Sequence, residues 1–322
     1  MQVWNGLDEV PADLGRTVVT IGNFDGVHRG HVEVLRSIAT QAAELGVTSV
    51  AVTFSPHPRA VHQPEDPPVL LASLEQRLEL MEATGLDAVL VIEYTLDFAR
   101  QSPRAFVESC FVAGLHAARV VVGHDVRFGW GNEGTLATLE TLGGEHGFDV
   151  VAIADLGLGG DRWSSTSARR LLQDGDVARA ALVLGRQHRV RSSVVHGDAR
   201  GRTIGFPTAN LGWPIEGLVP ADGVYAGWLL RGEVDAQGRV VTPADRRLPA
   251  AISIGTNPTF AGVERRVEAY VLDRTDLELY GERVELELVA HLRPTLRFDS
   301  VEALVTRMHE DVERCREVLR AP

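Results

Sequence analysis

The feature that most constrains the fold of this chain is a change in its hydrophobic pattern part-way along the sequence. Up to about residue 155, short runs of β-branched residues alternate with segments of helical period. Such alternation favours a parallel sheet covered by helices. From Arg189 to Arg293 the chain shows strand patterns separated by turn residues and no helical period, which is typical of an antiparallel barrel or sandwich. The sequence therefore predicts two domains of different class.

The predicted elements follow this division. The predicted strands of the first half are Thr17–Ile21, Ser49–Phe54, Ala88–Glu93, Arg119–Val122 and Val150–Ala154, and its helices are His31–Leu45, Leu74–Thr84, Pro103–Leu115 and Thr135–Leu142. Two short helices follow, Ser167–Gln173 and Val177–Leu184. The later strands are Arg189–Val195, Val224–Leu230, Leu248–Ile254, Val267–Leu272 and Arg283–His291, before a long amphipathic helix over Val301–Leu319. We place the boundary near Arg186, which gives domains of residues 1–186 and 187–322.

A glycine-rich motif with two histidines directly follows the first predicted strand. Residues 20–31 read Thr-Ile-Gly-Asn-Phe-Asp-Gly-Val-His-Arg-Gly-His. Two histidines three apart also occur as surface residues or metal ligands, but glycines allow close approach to phosphates and a helix start attracts anions. Ligands of parallel sheets bind at the carboxyl ends of strands, where this motif lies. The predicted phosphate-binding residues are Gly22, Asn23, Phe24, Asp25, Gly26 and Gly30, with His28 and His31 as candidate catalytic residues.

Three further segments of the first half carry polar groups near strand or helix ends. His57 follows the second strand between two prolines and faces either a substrate or solvent. Asp125 follows the fourth strand and could bond a ribose or base, or belong to a surface turn. Hydroxyls at a helix start either cap it or bind phosphate, and an arginine one turn later can neutralise a pentavalent phosphorus centre. These last residues are Ser164, Ser165, Thr166 and Arg169.

The second half contains a glycine-spaced segment, residues 196–211, that leads into Pro-Thr-Ala-Asn. Glycines let backbone amides close on phosphates. The predicted phosphate-binding residues here are Gly197, Gly201, Arg202, Gly205 and Pro207. The Thr208 hydroxyl and the Asn210 amide oxygen are hard donors suited to Mg²⁺. Glu268 lies on a predicted strand, where it could take the proton of a hydroxyl nucleophile or be an ordinary exposed acid.

Composition narrows the function classes. The formal net charge is −12, and an acidic chain is a poor partner for a nucleic-acid backbone. Every one of the 32 basic residues is arginine, which excludes a lysine Schiff base and a P-loop lysine. The chain lacks a signal-peptide pattern and any apolar run near the ~20 residues of a membrane helix. The two cysteines show no paired spacing, so we predict a cytoplasmic protein. We also predict no membrane partner, and the sequence is compatible with a homo-oligomer.

Together these motifs resemble the prokaryotic bifunctional riboflavin kinase/FMN adenylyltransferase (FAD synthetase) family, whose first half belongs to the nucleotidyltransferases with a His-x-Gly-His signature. The resemblance runs nearly end to end, and Pro-Thr-Ala-Asn at residues 207–210 is its most specific element. It implies a Rossmann-like α/β N-terminal nucleotidyltransferase domain and a C-terminal antiparallel β-barrel of riboflavin kinase type with a long terminal helix. It also implies that ATP phosphorylates riboflavin to FMN and then adenylylates FMN to FAD, with release of pyrophosphate and with Mg²⁺ as cofactor.

The resemblance also assigns roles to the candidate residues. It implies that His28 and His31 handle the ATP phosphates and that Glu268 is the base for the ribityl 5′-hydroxyl. Thr208 and Asn210 are expected to bind Mg²⁺ and ATP phosphates. The residues expected at the flavin are Gly223, Tyr225, Asn257 and Arg297, and the aromatic candidates for contact with the ring are Phe128, Tyr225 and Phe298.

Two other interpretations stay open at the level of sequence. One domain could be active while the other binds flavin as a regulator. Alternatively, the chain could be a flavin carrier or a chaperone without turnover, although the pairing of Thr208 with Glu268 speaks against this. A nucleic-acid role, suggested by the likeness of the histidine motif to that of tRNA synthetases, is disfavoured by the acidic balance of the chain.

Overall fold

The structure is a computed structural model that describes residues 1–154, 157–158, 161–197, 201, 204–259 and 262–320. Its internal contacts divide the chain into two compact units, Met1–Ser165 and Thr166–Pro322. Among the residues so described, no helix is both long enough and apolar enough to span a membrane.

The first unit contains a six-stranded parallel sheet with the order β1-β4-β3-β2-β5-β6. Its strands are β1 Gln2–Asn5, β2 Thr17–Ile21, β3 Thr48–Ser55, β4 Ala88–Glu93, β5 Ala117–Gly123 and β6 Asp149–Ile153, followed by a two-stranded ribbon of β7 Gly157–Leu158 and β8 Asp161–Arg162. This confirms the predicted α/β class. The edge strand β1 was not predicted, because four residues are too few to show a period.

Helices of the first unit connect these strands. They are α1 Arg29–Leu45, α2 Pro58–His62, α3 Leu74–Glu82, α4 Leu96–Ala99, α5 Pro103–Phe106 and α6 Leu136–His146, with short 3₁₀ turns at Leu7–Glu9 and Trp130–Asn132. The helix predicted over Pro103–Leu115 is α5 continued by a π-helical segment, Val107–Gly114. The helix α1 begins two residues before the predicted start, at Arg29.

The strand order places a binding crevice at one position of this sheet. The chain adds β3 and β4 on one side of β2 and β5 and β6 on the other, so the winding direction reverses between β2 and β5. Ligands of open α/β sheets bind beyond the carboxyl ends of the strands at such a reversal. The histidine motif follows β2 and the Asp125 segment follows β5, so both lie at this point.

The helix α1 is held on the sheet by an apolar stripe of three buried side chains. Leu35, Ile38 and Ala42 recur at helical spacing and pack with Val18 and Val121 of β2 and β5. Burying one large aliphatic side chain contributes roughly 1.5–3 kcal/mol. The stripe therefore fixes α1 against the strands, and with it the position of the helix start beside the crevice.

The second unit contains a closed six-stranded barrel in the order β10-β13-β12-β11-β14-β9, with antiparallel neighbours throughout. Its elements are α7 Ser165–Gln173 (which begins at the unit boundary), α8 Val177–Leu184, β9 His188–Val195, β10 Ala209–Leu211, β11 Gly223–Arg231, a 3₁₀ turn at Pro243–Asp245, β12 Arg247–Thr259, β13 Gly262–Val271, β14 Arg283–Arg293 and α9 Val301–Arg320. The predicted barrel is confirmed. The strand β10, which closes it, was not predicted because it spans three residues.

The helix α9 packs on the barrel through the apolar side that the sequence predicted. Val312 and Cys315 are buried in one cluster with Phe206, Ala226 and Leu272. The helix α8 packs on the strands β9 and β14. Contacts therefore group α8 with the barrel and divide the chain at Ser165, whereas the domain boundary near Arg186 stays a prediction.

A buried ion pair joins the end of β14 to α9. Arg293 Nη2 lies 2.6 Å from Asp311 Oδ2, and both side chains are less than one tenth exposed. We expect Asp311→Ala to lower the free energy of unfolding by about 3–5 kcal/mol, because Arg293 then keeps a buried charge without its carboxylate. Denaturant unfolding measures the loss. Glu310→Ala is the control, since Glu310 pairs with Arg307 at the surface, and it should cost about 0–1 kcal/mol. Equal losses would contradict the prediction.

A buried histidine makes the stability of the barrel unit depend on pH. His188 Nε2 donates to Leu218 O at 2.7 Å, and burial, with a smaller contribution from the Arg186 charge, lowers its pKa from 6.5 to about 4. The unfolded chain therefore binds this proton more readily than the folded chain. The contribution of the neutral His188 to the free energy of unfolding is fully present above about pH 6.5. It is lost as the pH drops towards 4, by about 3 kcal/mol in total.

We expect His188→Gln to remove this dependence, as measured by denaturant unfolding at several values between pH 7 and pH 4. The control is His196→Gln, at an exposed histidine of the same unit. If both variants keep the same decline towards low pH, His188 is not its source.

Candidate active sites

The turn between β2 and α1 is compact and holds a buried aromatic ring. Phe24 and Val27 adopt positive φ angles of 48° and 35°, and Val27 N donates to Phe24 O at 3.0 Å. Both side chains are buried. Gly26 has φ 73°, and a Cβ there would lie 2.7 Å from Leu71 Cδ1, so glycine is required for this close approach.

The two histidines of the motif meet at the start of α1. His28 is the N-cap residue, and its Nδ1 accepts from His31 N at 3.4 Å. The rings stack with centroids 3.6 Å apart, and a Cβ on Gly30 would lie 3.2 Å from the His28 ring. Because Nδ1 accepts, a neutral His28 carries its proton on Nε2. The pair can therefore present N–H donors to an anion at a helix N-terminus.

Asp25 holds the turn to a neighbouring segment. Its carboxylate is buried and accepts from Leu71 N at 3.0 Å and from Ala72 N at 3.2 Å. Its backbone oxygen accepts from Ser165 Oγ at 2.8 Å. Asp25 thus links three stretches of the chain, while its predicted contact with phosphate stays a prediction.

Arg77 on α3 also holds the turn between β2 and α1, and the sequence analysis did not select it. The guanidinium is buried and donates to Asn23 O at 2.6 Å and to Phe54 O at 3.2 Å. Burial lowers its pKa, while the charge of Asp25 acts in the opposite direction. No local pattern marks this arginine, since it lies in an ordinary amphipathic helix.

Part of the predicted site lines a cavity of about 270 Å³ at the reversal between β2 and β5, whereas Asp25, Gly26 and Ser165 do not line it. The lining brings together Gly22, Phe24, His28, Gly30, His31, Asp125, Arg127, Trp163 and Ser164. Asn23 lines the neighbouring cavity instead. The guanidinium of Arg29 lies 5.3 Å from the ring centroid of Trp163. Arg169 and Thr166 lie in α7, within the second compact unit, and their predicted roles stay predictions.

A second cavity of about 170 Å³ adjoins the first and is lined by aromatic rings. The two cavities share Ile21, Gly22, Val126 and Arg127. The rings of the second cavity are those of Phe54, Tyr94, Phe98, Phe106 and Phe128. Tyr94 meets Phe54 and Phe98 edge to face, with centroids 5.5 and 5.6 Å apart. A wall of this kind suits a flat, apolar ring system.

Sequence reasoning found only Phe128 of this aromatic group. The others lie on β3, α4, α5 and the loop after β4, each within an unremarkable apolar run. His57 lines neither cavity: its Nδ1 accepts from Arg59 N at 3.1 Å, as the N-cap of α2.

In the barrel unit, the side chains of Thr208, Asn210 and Glu268 meet where β10 pairs with β13. Register places Asn210 of β10 opposite Glu268 of β13. Thr208 Oγ1 donates to Glu268 Oε2 at 3.1 Å, and Asn210 Nδ2 donates to Thr208 O at 3.3 Å. A Cβ on Gly197 would lie 2.6 Å from the Asn210 amide. The glycine therefore leaves room for Asn210 beside the other two side chains.

A cavity of about 560 Å³ opens beside this cluster. Gly205, Pro207 and Thr208 line it, together with the segment from Arg274 to Tyr280 that sequence reasoning did not select. The backbone oxygen of Gly201 accepts from Phe206 N at 2.8 Å, which closes the turn before Pro207. Arg202 lies outside the described residues.

The described residues hold no group of three His, Cys, Asp or Glu side chains that could bind a metal. Apart from one amide nitrogen, the polar side-chain atoms of Thr208, Asn210 and Glu268 are nevertheless all oxygens. Such a set fits Mg²⁺, which keeps several waters and shares its ligands with phosphates. Thr208 and Asn210 are the residues that could hold it.

The predicted flavin residues lie at different places on the barrel. Tyr225 is fully buried, its hydroxyl donates to Ala221 O at 2.6 Å, and burial raises its pKa to about 12. A Cβ on Gly223 would collide with the His291 ring. Arg297 is exposed after β14, Asn257 lies on β12 with its side chain outside the described part, and Arg293 lies 5.9 Å from the centroid of Phe298.

Comparison with known proteins assigns each half of the chain. A family model described as FAD synthetase matches residues 10–167, and one described as riboflavin kinase matches residues 184–319. The chain belongs to the bifunctional riboflavin kinase/FMN adenylyltransferase family. The resemblance inferred from the motifs is confirmed.

Curated relatives match over nearly the full length of the chain. The bifunctional riboflavin kinase/FMN adenylyltransferase of Escherichia coli K12 is 35% identical over 301 residues, which cover 93% of this chain and 92% of the relative. The Pseudomonas fluorescens protein of the same name is 36% identical and covers 100% and 99%. A solved structure from Streptococcus pneumoniae, described as a macrolide-efflux protein, has a TM-score of 0.84 at 28% identity and covers 98% of each chain.

We expect Asp25→Ala to loosen the turn before α1. The amides of Leu71 and Ala72 lose their acceptor, and leaving such buried donors unpaired costs about 1–3 kcal/mol. Amide hydrogen exchange at these two residues should speed up. In the control Asp97→Ala, which removes an exposed partner of Arg100, exchange at the same amides should not change. Unchanged exchange in Asp25→Ala would show that its carboxylate does not hold the segment.

Proposed function

We propose that each unit catalyses one of the two reactions of the family: the barrel unit phosphorylates riboflavin to FMN, and the α/β unit adenylylates FMN to FAD. The observation that carries this proposal is the pair of adjoining cavities in the first unit. One lies at a helix N-terminus beside two stacked histidines, and the other is walled by aromatic rings. A triphosphate and a flavin bound side by side there would have their phosphates at the shared border.

In the kinase reaction, Glu268 acts as general base. Its carboxylate takes the proton of the ribityl 5′-hydroxyl, whose oxygen attacks the γ-phosphorus of ATP while the bond to ADP breaks. The hydrogen bond from Thr208 holds the carboxylate at the barrel edge. Mg²⁺, bound through Thr208 and Asn210, would neutralise charge on the ATP phosphates.

In the adenylyl transfer, the protein orients two anions and stabilises charge. An oxygen of the FMN phosphate attacks the α-phosphorus of ATP, and the bond to the departing pyrophosphate breaks. This nucleophile is already an anion and needs no base. His28, His31 and the amides at the start of α1 donate to the phosphates where negative charge accumulates.

We also propose the cellular setting and the partners of the chain. Both cysteines, Cys110 and Cys315, are buried and free, which supports a reducing, cytoplasmic setting. The acidic balance supports the absence of a nucleic-acid partner. ATP, riboflavin, FMN and FAD are the proposed small-molecule partners, and a homo-oligomer stays an open prediction.

Two single substitutions should separate the reactions. Glu268→Gln keeps the shape of the side chain but cannot accept the proton, so FMN formation should fall roughly 10²- to 10⁴-fold, while FAD formation from added FMN continues. His28→Asn keeps a good N-cap residue but loses the imidazole, so FAD formation should fall while FMN accumulates. Chromatography of products from riboflavin, ATP and Mg²⁺ measures both.

Loss of both reactions in either variant would contradict the division of labour between the units. Flavin binding by the unsubstituted protein without any consumption of ATP would favour a flavin carrier instead.

A further inference from the structure

Arg127 lies where the two cavities of the first unit meet. It lines both of them, in the segment between β5 and α6. Its neighbours hold the backbone: Val126 N donates to Gly123 O at 3.1 Å, and Phe128 exchanges two hydrogen bonds with Gly134. Phe128 is buried, whereas Arg127 is exposed. The backbone is therefore held on both sides, while the exposed residue lines both cavities.

The charge of Arg127 is unusual for this crevice. Among the described residues that line either cavity, it is the only arginine, and the chain contains no lysine. Its Nη1 donates to Val126 O at 3.3 Å, and the described part of the chain gives it no carboxylate partner. Arg77, by contrast, is buried and bonded to the backbone on two sides.

We propose that Arg127 binds the 5′-phosphate of the flavin and holds it against the α-phosphate of ATP. This inference rests on the proposed adenylyl transfer in the first unit. Two anions must come into contact there, and a cation at their border lowers the repulsion between them. A planar guanidinium can bond two phosphate oxygens at once, which a lysine ammonium does not reproduce.

The same placement makes Arg127 a determinant of specificity. FMN and riboflavin share the ring system that suits the aromatic cavity and differ at the phosphate. A cation at the border of the cavities favours the phosphorylated flavin, so the unit selects the product of the kinase reaction over its substrate. Loss of Arg127 should therefore weaken the recognition of phosphate and spare the recognition of the ring.

The experiment uses the full chain with Arg127→Gln, Arg127→Lys and the control Arg36→Gln. Arg36 is an exposed arginine of α1 that lines neither cavity. Adenylyl transfer is measured against FMN concentration, with 5′-deoxyriboflavin as a competitor that has the ring but neither the phosphate nor the hydroxyl that accepts one. In Arg127→Gln, KM for FMN should rise on the order of 10- to 100-fold, with Ki for the competitor unchanged. Arg127→Lys should recover part of the loss, and the control should match the unsubstituted protein.

The outcomes separate the possible roles. A parallel rise of KM for FMN and Ki for 5′-deoxyriboflavin would show that Arg127 shapes the aromatic cavity, and an unchanged KM for FMN would show that it does not touch the phosphate. Either result overturns the inference and leaves the proposed function intact. An unsubstituted protein that makes no FAD from FMN and ATP overturns the proposed function, and the inference with it.

Discussion

The first unit depends on a buried carboxylate. Asp25 accepts two amides from the 71–72 segment and bonds through its backbone to Ser165, so it joins parts of the chain that are far apart in sequence. Together with Arg77, which donates to Asn23 O, this residue fixes the turn between β2 and α1. The stacked histidines at the start of α1 follow directly from that turn, and both cavities border on it. The anion site proposed at the start of α1 is therefore pre-formed, which is how preorganised donors act in catalysis.

In the barrel unit, the register of the strands positions the candidate site residues. Closure requires the short strand β10 between β9 and β13, and its register sets Asn210 opposite Glu268. The hydrogen bond from Thr208 then holds the carboxylate at the rim. The barrel strands thus bring the proposed base and the proposed metal ligands together. The proposed anion site of the first unit consists instead of a helix N-terminus and two imidazoles. The chain contains no lysine, so the proposed phosphate sites of both units would rely on arginine, histidine and backbone amides.

The match between sequence and structure is uneven for physical reasons. Long periodic segments such as α1, β3 and α9 were predicted almost to the residue, because their apolar positions recur at the spacing of the element. The short strands β1 and β10 show no period and were missed. The helix over Pro103–Leu115 was predicted as regular, but its second part is π-helical, which apolar spacing does not reveal. Among the site residues, the histidine motif was found from its glycines and its position after a strand, whereas Arg77 and the aromatic wall carry no local mark.

The sequence by itself determined the two fold classes, the family and the two glycine-rich motifs, since period, glycine spacing and the order of motifs are properties of neighbouring residues. Only the tertiary structure decided that an aromatic cavity adjoins the cavity beside the two histidines, that Asp25 and Arg77 hold the turn between β2 and α1, and that Arg127 lies at the border of both cavities. These arrangements join residues separated by tens of positions along the chain. They exist only once the parallel sheet has brought the carboxyl ends of β2, β3, β4 and β5 to one edge.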